Sequence, residues 1–306
     1  MKWRRTKSKD VIDKRGAGPA APSGGGLGGF QMPGGMALPA GGAGIVVVII
    51  IVAIQVLGGG GSSGGFSLPD AFSPQAQAPG DPKGQAIPPS QDPQKDIKNF
   101  STYVFVDAQK TWKGTFDSSG DGYRDAKLVL YDGAVNTGGC GHATSAVGPF
   151  YCPADERVYL DLTFYDDMSN QLGAPGDFAW AYVIAHEMGH HIQQITGTSD
   201  RVNSESAANP DDANELSVRL ELQADCYAGV WANTVFIQGD LEEGDLDEAF
   251  TATEAIGDDR LQKQAGGDVD PDSFTHGTSE QRRTWFERGY EGGDPSACDT
   301  FSPDSA

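Results

Sequence analysis

FAWAYVIAHEMGHHIQQIT, residues 178–196, carries an apolar run directly into a cluster of histidines, with the spacing of a single helix. Positions i and i+4 of an α-helix are about 400° apart, so His186 and His190 stand one turn apart on nearly one face and can offer two imidazoles to one ion. Glu187 falls on the rim of that face, where its carboxylate can reach a reacting water without ligating the ion. His191 is turned by about 100° from His190, which makes it a structural or rim-lining residue rather than a ligand. Asp177 is placed to cap the helix N-terminus and Gly197 to close its C-terminus. The apolar approach, AWAYVIA, predicts burial, and a dry surround strengthens the field of any ion. An ordinary helix with hydrogen-bonded histidines is the plainer reading, but it gives no reason for a glutamate in the same buried stretch.

A catalytic zinc site takes three protein ligands and keeps one position open. The next helical stretch, about 211–238, contains RLELQADCYAGVWA at 219–232. Glu221 and Asp225 are again i and i+4 and share a face, among the apolar neighbours Leu220, Leu222, Ala224 and Ala228. Two buried carboxylates without a cation are costly, and a nearby Zn²⁺ removes that cost. Glu221 is accordingly the expected third ligand. Asp225 is the expected acceptor for the outer ring N–H of one histidine, fixing its tautomer. A surface ion pair between Glu221 and Arg219 is the competing reading.

Outward from these helices, residues 95–116 read as an aromatic-rich helix, 124–135 as a strand and turn, and 157–168 as a strand alternating at period two. A further helix is expected from Asp245 into the 260s, and Thr278 with Gln281 forms a capping box for another. Strands followed by helices give an α+β fold, in one domain over 94–306. All four cysteines lie in this part, where an even number suggests two bridges. Cys140 and Cys152 are the natural local pair, leaving Cys226 with Cys298.

The first third of the chain has another character. Residues 1–40 form a basic, then Gly/Pro-rich tail, and residues 58–93 a Pro-rich linker that should not be forced into structure. Between them, Gly41–Leu57 (GGAGIVVVIIIVAIQVL) is uncharged and β-branched, about long enough to span a bilayer. Seven Lys or Arg among the first fifteen residues would place the N-terminus in the cytoplasm and the domain outside, anchored to the cell membrane by a single pass. The net charge of −21 is concentrated in the domain, so nucleic-acid phosphates and anionic lipid headgroups are excluded as its partners.

The pairing of HExxH with a later ExxxD resembles the gluzincin metallopeptidases. More narrowly, the chain is similar to a bacterial family of neutral zinc metallopeptidases with an N-terminal membrane anchor. The matching stretches are GCGHA at 139–143, GPFYCPADERVYLDL from 148, AHEMGHHIQ from 185, ELQADCYAGVWA from 221 and HGTSEQR from 276. The resemblance implies a zincin-like domain and one catalytic Zn²⁺ held by His186, His190 and Glu221. It implies Glu187 as general base and Asp225 as support for the first histidine. A peptide or protein would be the substrate. His276, in a loop just before a capped helix, is the candidate donor to the developing oxyanion or to substrate, with Tyr182 and Tyr165 weaker ones. By analogy, the strand VYLDLTF, 158–164, would line the cleft and accept an extended substrate. The alternative function is a zinc-containing binding or assembly factor of the cell envelope, without turnover.

Overall fold

The computed structural model describes residues 1–16, 87–88 and 90–302. Its strands and α-helices run, in order, β1 (Val11–Asp13), α1 (Lys95–Ser119), β2 (Lys127–Tyr131), β3 (Ala134–Asn136), β4 (His142–Thr144), β5 (Phe150–Cys152), β6 (Arg157–Asp161), α2 (Phe164–Asn170), α3 (Asp177–Ile195), α4 (Thr198–Ala208), α5 (Ala213–Gln238), α6 (Asp245–Ala255), α7 (Asp258–Gln264) and α8 (Ser279–Gly292). Strands precede most helices, and the class is α+β.

The main sheet has the order β1-β2-β6-β5, with β1, β2 and β6 parallel and β5 antiparallel at the edge. Side chains of β2 and β6 alternate between two cores. Leu128, Leu130, Val158 and Leu160 face the helices, while Val129 and Tyr159 face a second cluster with Phe150 and Val135. That is why both strands read as apolar runs rather than as half-solvated alternations. The β3–β4 hairpin covers the second face, and the Cys140–Cys152 disulfide ties its loop region to β5.

On the first face lies α3, buried from Phe178 to Gln193 and therefore apolar nearly all round. Packing of α3 against α5 is close at Gly189, where a Cβ would sit 3.0 Å from the Ala224 backbone. Helices α5 and α8 cross still more tightly. At Gly229 and at Gly289 an added Cβ would fall 2.0 Å from a carbonyl oxygen of the opposite helix. The Cys226–Cys298 disulfide closes the far side of α5.

Several local expectations change. The strand beginning at 157 stops at Asp161, whose side chain accepts from Thr163 N at 3.0 Å and Thr163 Oγ1 at 2.7 Å and turns the chain into α2. Asp177 is the first residue of α3 rather than its cap; the Phe178 N–H is satisfied by Glu248 of α6 at 2.9 Å. The helix expected from Asp245 into the 260s breaks into α6 and α7 at Gly257, which packs against the backbone of Ser279. The Thr278–Gln281 capping box is present at the start of α8.

The largest correction concerns the N-terminus. Residues 1–16, expected as part of a separate tail, are part of the domain. β1 pairs with β2 in register Val11↔Leu128 to Asp13↔Leu130, closing an edge that would otherwise expose unpaired backbone groups. Buried Arg15 meets Asp92 at 2.8 Å and Asp13 at 2.9 Å, and Lys98 of α1 meets Asp13 at 3.0 Å. Asp92, expected in the linker, thus belongs to the domain. The Met1 amino group lies 2.9 Å from Asp177 and 3.1 Å from Asp245, and Trp3 packs edge-on against Phe100. Among the described residues no helix is long and apolar enough to cross a membrane. The span expected at 41–57, the remainder of the tail (17–40) and linker residues 58–86 lie outside the described residues.

Candidate metal centre

Helix α3 supplies His186, Glu187 and His190, and α5 supplies Glu221 and Asp225; the Gly189–Ala224 contact lets the two sets meet. His186 Nε2 lies 3.2 Å from His190 Nε2 and 3.2 Å from Glu221 Oε2, and His190 Nε2 lies 3.6 Å from Glu221 Oε1. A tetrahedral zinc with ligands about 2.0–2.2 Å away separates its ligand atoms by about 3.3–3.6 Å. The two ring nitrogens are thus spaced as ligands of one zinc, and each faces its own oxygen of the Glu221 carboxylate at a comparable distance.

The outer hydrogen bonds say which atoms face inward. His186 Nδ1 is 2.8 Å from Asp225 Oδ1 and donates to it. His190 Nδ1 is 2.7 Å from Gln193 Oε1; Gln193 Nε2 donates to Leu220 O at 2.6 Å and to Gln223 Oε1, so its oxygen is the atom turned to the histidine. Both inward nitrogens are thus acceptors, converging with a carboxylate, and three acceptors need a cation or a proton between them.

Without metal, a proton takes that place. Burial lowers the pKa of both imidazoles, but Asp225 and Glu221 hold His186 up at about 9, while His190 drops to about 4. A zinc ion held here would have to displace the His186 proton. Zinc uptake at pH 7 is therefore expected to release at least one proton, and apparent affinity to rise about tenfold per unit as pH increases toward 9. Titrations in buffers of different ionisation enthalpy measure this directly. An affinity flat from pH 6 to 8.5 would contradict the assignment.

Glu187 is fully buried, and neither carboxylate oxygen has a hydrogen-bond partner. Burial raises its pKa to about 8, moderated by the nearby His186 and Arg282 charges and the Tyr151 backbone N–H. A buried carboxyl group without a donor, next to three converging acceptors, is a site built for a component that the protein itself does not supply.

Asp225 is held by more than a histidine. Arg282 of α8, 0 % exposed, donates to both its oxygens at 2.8 and 3.0 Å and lies 3.9 Å from Glu221. Burial would raise the Asp225 pKa, but Arg282 and His186 bring it down to about 2. Tyr182 donates to the same carboxylate at 2.5 Å and accepts from Arg282 at 3.2 Å. It is therefore committed behind the metal ligands and is no oxyanion donor. Tyr165 packs edge-on against Trp180, in the core. Arg282, Gln193 and Asp258 were not singled out from sequence. Arg282 stands in HGTSEQR and Gln193 three residues after His190, but nothing local shows what either touches.

His276 is buried, its Nδ1 3.1 Å from Asp258 Oδ1, while Asp258 also accepts the backbone N–H groups of 275, 276 and 277. Burial lowers its pKa, but Asp258 and the Glu221 charge together raise it, so the ring lies within electrostatic reach of the ligand set. His191 points away, bridging Tyr151 Oη at 3.0 Å and Arg124 O at 2.7 Å. β6 is an interior strand paired on both sides and has no free edge for substrate; the edge beside α3 is β5. The other carboxylate cluster, Asp177, Asp245 and Glu248, is satisfied by the Met1 amino group and the Phe178 N–H.

No solved structure matches the chain. Among curated proteins, the uncharacterized protein YpfJ of Escherichia coli (strain K12) is 43% identical, the match covering 98% of this chain and 99% of the relative. The uncharacterized protein Mb2605 of Mycobacterium bovis is 44% identical over 59% of this chain and 64% of the relative. A family model described as "Putative neutral zinc metallopeptidase" matches residues 1–301. With that match running the length of the fold and across the whole His–His–Glu centre, the chain belongs to this zinc metallopeptidase family.

Proposed function

We propose that the protein hydrolyses peptide bonds with one zinc ion held by His186, His190 and Glu221. The observation that carries this reading is the convergence of two imidazole nitrogens and the Glu221 carboxylate at metal-ligand spacing beside the unpartnered Glu187. A zinc ion there supplies Lewis acidity, lowering the pKa of a water toward neutrality and polarising the scissile carbonyl. Glu187 takes the proton of the attacking water and passes it to the leaving amine. Burial raises its affinity for a proton, and a cation bound beside it would return it to the carboxylate form in which it accepts one. Asp225 holds the His186 ring in the tautomer that turns Nε2 inward. His276, fixed through Nδ1 by Asp258, is the candidate donor to the developing oxyanion.

An extended polypeptide added along the β5 edge would pass Glu187 without needing a free terminus, which favours endopeptidase action. Two disulfides favour an oxidising, extracytoplasmic workplace. The test is metal content together with cleavage. The wild-type protein should bind about one zinc and cleave members of a quenched-fluorescence peptide library, and chelation should abolish cleavage. Glu221→Ala should lose most of its zinc. A zinc-loaded wild type that cleaves no peptide would leave only the non-catalytic binding-factor reading.

A further inference from the structure

The N-terminal strap, residues 1–16, and the domain from residue 87 onward are joined in the fold by a strand pairing and a buried ion pair. Val11, Ile12 and Asp13 sit in register on β2, Arg15 is sealed between Asp13 and Asp92, and the Lys2 N–H donates to Asp240 O at 2.7 Å just past α5. These contacts touch three distant parts of the domain: the sheet edge, the start of α1 and the C-terminal end of α5. The basic charge of the strap is also matched to its seat, since the domain is strongly acidic and Arg15 and Lys98 share the Asp13 and Asp92 carboxylates.

A strand cannot pair with its neighbour through about 30 Å of hydrocarbon. We infer that residues 1–16 and the zinc domain lie on one side of any membrane the chain meets. The apolar run at 41–57 then does not carry the chain across in a single pass. Length does not forbid it, because 70 residues, 17–86, separate the two parts, and a chain of that length can reach well beyond the width of a domain. Charge does not oppose it either. The seven basic residues that would mark a cytoplasmic N-terminus in an isolated tail are in part consumed by the fold: Arg15 is buried, and Lys2 Nζ donates to Gly239 O at 2.8 Å.

The inference is independent of whether the centre cleaves peptides. It is tested on the full chain in bacterial cells with two variants that each add one cysteine at an exposed position, Lys9→Cys on the strap and Ser118→Cys at the end of α1, the unsubstituted chain giving the labelling background of the four native cysteines. Spheroplasts are treated with a membrane-impermeant maleimide before and after lysis. The expected result is that both positions label before lysis, or both only after it. Labelling of one before lysis and of the other only after it would overturn the inference. Lys7→Cys and Asp121→Cys, both exposed, replace either variant that fails to accumulate. A second measurement checks the docking itself. Arg15→Ala in the full chain is expected to lower the melting temperature by several degrees, and an unchanged melting temperature would overturn the strap as a structural element.

Discussion

Replacing Glu187 by glutamine is expected to cut peptide hydrolysis by about a thousandfold while leaving the zinc content at the wild-type level. The size follows from the role: a positioned general base contributes about 10²–10⁴ in rate. Retention of zinc follows from the geometry, since the three converging atoms belong to His186, His190 and Glu221, and Glu187 is outside that set. Folding should not suffer. Glu187 is buried with no hydrogen-bond partner, and its pKa of about 8 means that the metal-free protein already holds it largely neutral at pH 7, so an uncharged amide of the same shape replaces a mostly uncharged acid. The variant is thus expected to melt at or slightly above the wild-type temperature, because an ionisable group with no partner is itself a source of instability. Zinc by atomic absorption, melting temperature and cleavage rate are read on the same preparation. Cleavage at the wild-type rate with zinc bound would remove Glu187 from the mechanism, and loss of zinc would make it a ligand.

The second large effect is expected from Arg282→Met, which removes a residue that touches no zinc ligand atom closely. Arg282 makes two bonds to Asp225 and one to Tyr182 with no exposed surface. Its loss leaves a buried carboxylate whose remaining partners are one imidazole and one phenol. Breaking a buried pair in this way costs about 3–5 kcal/mol. For a domain of this size that corresponds to a fall of about 10 °C in melting temperature. Zinc affinity should drop about 10–100-fold as well, because Asp225 would then take up a proton and cease to hold His186 in its inward tautomer. Pairing Arg282→Met with Asp225→Leu should restore much of the stability and none of the zinc affinity. That split separates a residue that orients the centre from one that merely packs. If Arg282→Met binds zinc as tightly as wild type, the Arg282–Asp225–His186 chain has no part in metal binding.

What could be read from the sequence was what a helix makes local. His186 with His190, and Glu221 with Asp225, are separated by one turn, and 3.6 residues per turn places each pair on a face whatever the rest of the chain does. The capping box at Thr278 is equally local, and so is the apolar character of the 178–185 run. The strand expected over 157–168 was half right: Val158, Tyr159 and Leu160 do form a strand, buried on both faces rather than alternating with solvent, but whether Asp161 continues or turns it depends on a side-chain bond to Thr163 that hydrophobic pattern does not encode.

Tertiary structure alone decided the remainder, because it rests on contacts between residues far apart in sequence. The meeting of α3 and α5 depends on Gly189 facing Ala224, and the reach of Arg282 to Asp225 depends on paired glycines where α5 crosses α8. The partners that orient the centre, Gln193 through Leu220 and His276 through Asp258, are defined by where two elements end up, not by spacing along one. The N-terminus shows the difference most clearly. As composition, its seven basic residues read as a tail; as structure, three of its residues complete a sheet edge and a fourth is sealed in an ion pair with Asp92. A strand of three residues has no periodicity long enough to detect, and only the open edge of β2, assembled from the middle of the chain, gives it a place.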